Sequence, residues 1–199
     1  VVAHEVVDGK CVIEFDAPIT KIPMNAFRRK KLTGNLVIPN SITTIEKSAF
    51  YGCTGLSGNL TIPNSVTTIG EKAFVDCSGF TGNLTIPNSV TTIEELAFRG
   101  CTGFTGNLTI PNSVTTIGNF AFSYCTGFTG DLSLPKSLEV VGSRSFEFCN
   151  KIQTIKFQSL PEGISGYLGV QNKTVSLSDD SYISDMASGT VNEISYTRQ

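Results

Sequence analysis

The sequence predicts an α/β repeat solenoid, with one parallel sheet of about seven strands and irregular or short-helical return segments. Three observations predict it. The segment GNLTIPNSVTTI occurs unchanged at 58–69, 82–93 and 106–117. Strand-like cores begin at Ile13, Leu36, Leu60, Leu84, Leu108, Leu132 and Ile155, at spacings of 23, 24, 24, 24, 24 and 23 residues. Finally, one such unit cannot fold alone. Its few apolar side chains contribute roughly 1.5–3 kcal/mol each, against roughly 1–2 kcal/mol of backbone freedom lost at every residue. Stacking covers both faces of a unit, which is why the part is repeated.

Each strand core reads apolar-polar-apolar, as in Leu60-Thr61-Ile62, and Pro63 then stops it. The unit continues through Val66 and Ile69 to Ala73-Phe74, Cys77, Gly79 and Phe80 before Gly82 opens the next strand. Spacings of three to five between these apolar positions predict a turn and a short helical or 3₁₀ piece rather than a second strand. Two glycines per unit, such as Gly103 and Gly106, mark tight turns. Every connection runs the same way round, so successive strands are expected to be parallel and about 4.8 Å apart.

Stacking the units aligns Phe27, Phe50, Phe74, Phe98, Phe122 and Phe146 in one file. Leu32, Leu56, Phe80, Phe104, Phe128 and Ile152 form another, and these files are the expected core. The solenoid takes residues 1–157, with an N-terminal cap over about 1–34 and repeats over about 35–157. The period is lost after Phe157, and residues 158–199 are either a C-terminal cap or a free tail, the cap being preferred. Strand-like stretches lie around Tyr167, Val175 and Ile194.

The pattern L-T-I-P-N-S-V-T-T-I-x-x-x-A-F-x-x-C-T-G-F resembles the leucine-rich repeat of BspA-like bacterial surface proteins, over residues from about 12 to 157. The resemblance implies strands lining the concave side of a curved leucine-rich-repeat solenoid. It also implies an exported surface protein that adheres to host or matrix molecules. The first unit, from Ile22 to Lys31, departs from the pattern by lacking the cysteine and one residue, and reads as a capping copy. The chain starts at Val1, so an export leader is expected to have been removed, and its absence does not argue for the cytoplasm.

Composition narrows function. The net charge is −2 and only 16% of residues are charged, which gives nothing to attract nucleic acid. The apolar runs are short, so no membrane span is expected. Cys53, Cys77, Cys101, Cys125 and Cys149 share one column with Cys11 outside it; metal-type pairs such as C-x-x-C are absent and His4 is the only histidine. A ladder of buried, reduced thiols is the expectation, because equivalent parallel side chains seldom meet the dihedral a disulfide needs. The Asn-Leu-Thr triplets at Asn59, Asn83 and Asn107 match a glycosylation sequon, but glycans on neighbouring strands would collide, which leaves Asn172 as the plausible acceptor. Glu94-Glu95 and Asp179-Asp180 read as solvated turns. No acid, base and nucleophile set emerges, so neither an enzyme nor a cofactor is expected.

What remains is surface. On the strands Asn59, Thr61, Asn83, Thr85, Asn107, Thr109, Asp131 and Ser133 form a polar lattice that is the first candidate binding face. The variable positions around each Ala-Phe supply a second, an outer patch of Leu96, Phe120, Tyr124 and Phe148, unless these tuck under the C-terminal segment. The run Arg28-Arg29-Lys30-Lys31 either attracts an acidic partner or is a solvated turn. The expected function is non-enzymatic binding of a host or matrix protein or glycan by a monomeric, exported module. The rivals are a spacer with no ligand and a lattice that contacts a regular polymer.

Overall fold

The computed structural model describes residues 19–158, together with the backbone of the strands Ala3–Val7, Lys10–Glu14, Thr174–Leu177, Thr190–Val191 and Ile194–Ser195. The chain winds a β-solenoid whose coils are joined by two parallel ladders and a row of turns. The front ladder holds Lys10–Glu14, Gly34–Val37 and Leu56–Thr61, and further on Leu108–Thr109, Leu132–Leu134, Thr154–Phe157 and Thr174–Leu177. Between these two groups the ladder continues as the isolated bridges Gly58↔Phe80, Thr61↔Thr85 and Gly82↔Phe104. Leu132 lies opposite both Leu108 and Ile155, as the period predicts.

At the N-terminal end the reading is corrected. Cys11, not Ile13, lies opposite Leu36, and Lys10–Glu14 pairs on its other side with the antiparallel strand Ala3–Val7.

The second correction concerns the return path. A second parallel ladder runs through Lys21–Ile22, Thr44–Ile45, Thr68–Ile69, Thr92–Ile93, Thr116–Ile117 and Val140–Val141, two residues per coil. Beyond it there is a row of turns, and no helix among the described residues. The backbone explains why. The amides of Lys72, Phe74 and Asp76 donate to Glu95, Ala97 and Arg99 of the next coil, while those of Ala73, Val75 and Cys77 donate three residues back. Alternate amides are thus committed between coils, and a helix would need every one of them for itself.

The core lies between these walls. Rings of the first phenylalanine file stack at centroid separations of 5.2–5.4 Å, and those of Phe80, Phe104 and Phe128 at 5.9–6.1 Å. The two files meet edge to face, as Phe74 does Phe80 at 6.2 Å. All these rings are buried.

Candidate functional site

The cysteine column is structural. Each thiol donates to the backbone carbonyl of a phenylalanine in the preceding coil, from Cys53 to Phe27 at 3.0 Å through Cys149 to Phe122 at 3.1 Å. Burial pushes the thiols of Cys77, Cys101 and Cys125 well above their ordinary value, which makes them poor nucleophiles. Among the described residues no group of three or more His, Cys, Asp or Glu is placed to hold a metal, and no helix is long and apolar enough to cross a membrane. The Asn172 sequon lies outside the described residues.

On the front ladder the predicted lattice separates into two kinds of residue. Thr61, Thr85 and Thr109 are exposed, Thr61 standing in register with Val37 and Thr85, and Thr109 with Ser133. Asn59, Asn83 and Asn107 are exposed too, but their side-chain amides lie against a glycine of the next coil. A Cβ placed on Gly82, Gly106 or Gly130 would fall 2.3, 2.3 or 1.8 Å from the Oδ1 of the asparagine one coil earlier. The Oδ1 of Asn107 accepts the Asp131 amide at 2.9 Å. Asp131 and Ser133 are half-buried. A hydrogen bond from Lys156, at 2.5 Å, together with its charge holds the Asp131 carboxyl below the usual carboxylate value. At the N-terminal end of this face is a groove of about 550 Å³ lined by Asn35, Val37, Asn40, Asn59, Thr61 and Pro63.

The outer patch has a property that the sequence hides. Leu96 and Phe120 belong to a column in which Asn25, Ser48, Lys72 and Arg144 also adopt left-handed backbone, with φ from 55° to 60°. Tyr124 and Phe148 end a second such column, which begins with Arg29, Gly52, Asp76 and Gly100. The amide of each of these residues through Tyr124 donates to the next coil, so the fold imposes the conformation on whatever residue stands there. Left-handed backbone costs a bulky L-residue about 1–2 kcal/mol, and Gly, Asn or Asp less. Large apolar side chains nevertheless occupy it in the later coils. Tyr124 and Phe148 are 40% and 41% exposed, with ring centres 4.5 Å apart. The Arg99 guanidinium lies 4.9 Å from the Tyr124 ring centre, and that of Arg144 lies 5.9 Å from that of Phe120. Leu96 and Phe120 are half-buried, so the fully open part of the patch is the Tyr124–Phe148 pair.

The comparisons agree with this architecture. The family described as "BspA type Leucine rich repeat region" matches in six copies over residues 20–106 and 81–168. The chain belongs to this BspA-type leucine-rich-repeat family. Among solved structures it is similar to a leucine rich cell surface protein of Faecalibacterium prausnitzii A2-165, with 25% identity, a TM-score of 0.51, and coverage of 74% of this chain and 48% of the other. It is also similar to the pneumococcal vaccine antigen PcpA, with 18% identity, a TM-score of 0.58, and coverage of 81% of this chain and 40% of that one. The second likeness concerns the fold alone. The chain thus spans about half or less of the length of these structures. No curated protein matches it. The leucine-rich-repeat fold is generally non-catalytic, and the family fits an exported repeat module.

Proposed function

We propose that this chain is a non-enzymatic binding module of an exported bacterial surface protein, acting in adhesion to a host or matrix protein or glycan. Its membership in the BspA-type family and its likeness to a cell surface protein of Faecalibacterium prausnitzii support the location. The observation that carries the binding reading is the aromatic strip. Tyr124 and Phe148 stand open to solvent at left-handed positions where Gly52 and Gly100 serve the earlier coils without strain. Local strain kept at an exposed site points to a role outside folding. Aromatic rings flanked by guanidinium groups are the composition that interface anchors share.

The test is a screen of host matrix proteins and a glycan array against three proteins: the parent, Tyr124→Ser with Phe148→Ser, and Thr61→Lys with Thr85→Lys and Thr109→Lys. A ligand bound by the parent should be lost, at least tenfold in affinity, by the aromatic pair variant and kept by the lysine variant. The reverse result moves the site to the front ladder. A spacer would bind nothing above background in any of the three, and that outcome overturns the proposal. Residues 158–199 are proposed to close the C-terminal end of the core, a reading supported by the in-register pairing of Thr174–Leu177 on Thr154–Phe157.

A further inference from the structure

We infer that the first two coils carry a second binding surface, independent of the aromatic strip, for an acidic polysaccharide. Residues 19–58 hold Lys21, Arg28, Arg29, Lys30, Lys31 and Lys47 against the single acid Glu46, in a chain whose net charge is −2. Several other cations of the solenoid are drawn to carboxylates, while Arg99, Lys136 and Lys151 stand singly among the described residues. Lys47 and Lys72 both reach Glu71, Arg144 reaches Glu147, and Lys156 reaches Asp131. Within the first coil Lys21 is paired with Glu46 at 3.9 Å. The four that follow, Arg28 to Lys31, are exposed and have no carboxylate partner among the described residues.

Two of them are gathered rather than scattered. The guanidinium carbons of Arg28 and Arg29 lie 5.1 and 5.5 Å from the centre of one ring, that of Tyr51 in the next coil. Two like charges on one aromatic platform repel each other, and an anion placed between them removes that repulsion. Arg29 is held there by the fold. Its φ is 55°, and its amide donates to the Tyr51 carbonyl at 2.6 Å. Both forks are therefore presented from neighbouring backbone positions, with Lys30 and Lys31 beside them as point charges. Guanidinium forks match the planar carboxylate of a uronic acid and the oxygens of a sulfate ester.

A saccharide polymer is favoured over nucleic acid by charge density. A duplex carries one charge per roughly 1.7 Å and draws its affinity from many phosphates. Beyond residues 19–58 this chain has more acids than bases, so a dense polyanion leaving the patch would meet repulsion. A sugar chain with sparser charges can satisfy four cations and pass on over the neutral Thr, Ser and Asn surface.

The experiment titrates the full chain with a fluorescent chondroitin sulfate oligosaccharide at 50 and 150 mM salt, with neutral dextran, duplex DNA and polyglutamate as competitors. Chondroitin sulfate should bind, dextran should not compete, and DNA and polyglutamate should compete at least tenfold more weakly. Arg28→Gln with Arg29→Gln should weaken binding tenfold or more and make it less dependent on salt. Arg28→Lys with Arg29→Lys should lose part of that affinity, because the forks are gone while the charge stays. Lys136→Gln with Lys151→Gln should change nothing. Unaltered chondroitin sulfate affinity in the Arg28→Gln, Arg29→Gln protein, with its thermal midpoint also unaltered, overturns the inference. So does DNA or polyglutamate competing as well as unlabelled chondroitin sulfate, or no binding at 150 mM salt. Tyr124→Ser with Phe148→Ser should leave chondroitin sulfate affinity untouched, which separates failure of this surface from failure of the strip.

Discussion

Phe98 has an aromatic neighbour on three sides: Phe74 at 5.4 Å, Phe122 at 5.3 Å and Phe104 at 6.3 Å, the last edge to face. It is fully buried, and neighbours fixed by hydrogen bonds on both coils have little freedom to collapse into a hole. Phe98→Ala should therefore cost about 3–5 kcal/mol, the range for a buried aromatic truncation. Phe148→Ala, at an exposed ring, should cost no more than about 0.5 kcal/mol. Urea unfolding of both variants tests the pair, and comparable losses would contradict the stacked core. At this scale the core was readable because large apolar residues recur every 23 or 24 positions in matched files. The first left-handed column was not readable. Ser48, Lys72, Leu96, Phe120 and Arg144 include no glycine, so the usual signal of positive φ is missing. Their one visible trait was variability from coil to coil.

The glycines of the turn row show how an element is fixed by contact rather than by torsion. Gly106 has a φ of 71° and turns the chain, as the sequence reading expected. Gly103 is different, because its constraint is space. A Cβ there would sit 2.1 Å from the carbonyl oxygen of Phe80 and 2.8 Å from that of Ser78, both backbone atoms of the preceding coil. Neither oxygen can swing away as a side-chain end would, so Gly103→Ala must push the coils apart. Overpacking of this kind costs about 1–3 kcal/mol. A melting midpoint for Gly103→Ala within error of the parent would show that the coils are not this close. Sequence spacing found these elements and misjudged their type. Apolar intervals of three to five residues suit a short helix, yet alternating turns meet them equally well once every second amide bonds the next coil. The second ladder escaped notice because two residues per coil, such as Thr68–Ile69, are too few to display an alternation.

For the molecule as a whole, the thiol ladder makes stability depend on pH in a lopsided way. The lysine pair around Glu71, acting first through hydrogen bonds from Lys47 and Lys72, holds that carboxyl below its ordinary value of 4.5. A lowered carboxylate stabilises the fold above the unfolded value, and the contribution fades as pH falls through the folded one. This site is open to solvent, so the acid limb should be shallow. The alkaline limb works the other way. Burial raises Cys77, Cys101 and Cys125 well above the ordinary thiol value of 9.0, so below that pH both states hold the proton and nothing is lost. Above it the unfolded chain releases three protons that the folded chain retains. Each such proton removes at most about 1.4 kcal/mol of stability per pH unit, so the three together set a limiting slope of about −4 kcal/mol per unit. Urea midpoints taken from pH 7 to 11 should be flat to about 9 and then fall steeply. Replacing all three thiols by alanine removes weak S–H donors to carbonyls that already accept an amide three residues on, and also three buried sulfur atoms, so that protein should be less stable at pH 7 while its alkaline limb flattens. An unchanged slope in the alanine protein would place the alkaline sensitivity on the lysine ion pairs and leave the thiols as space-fillers alone.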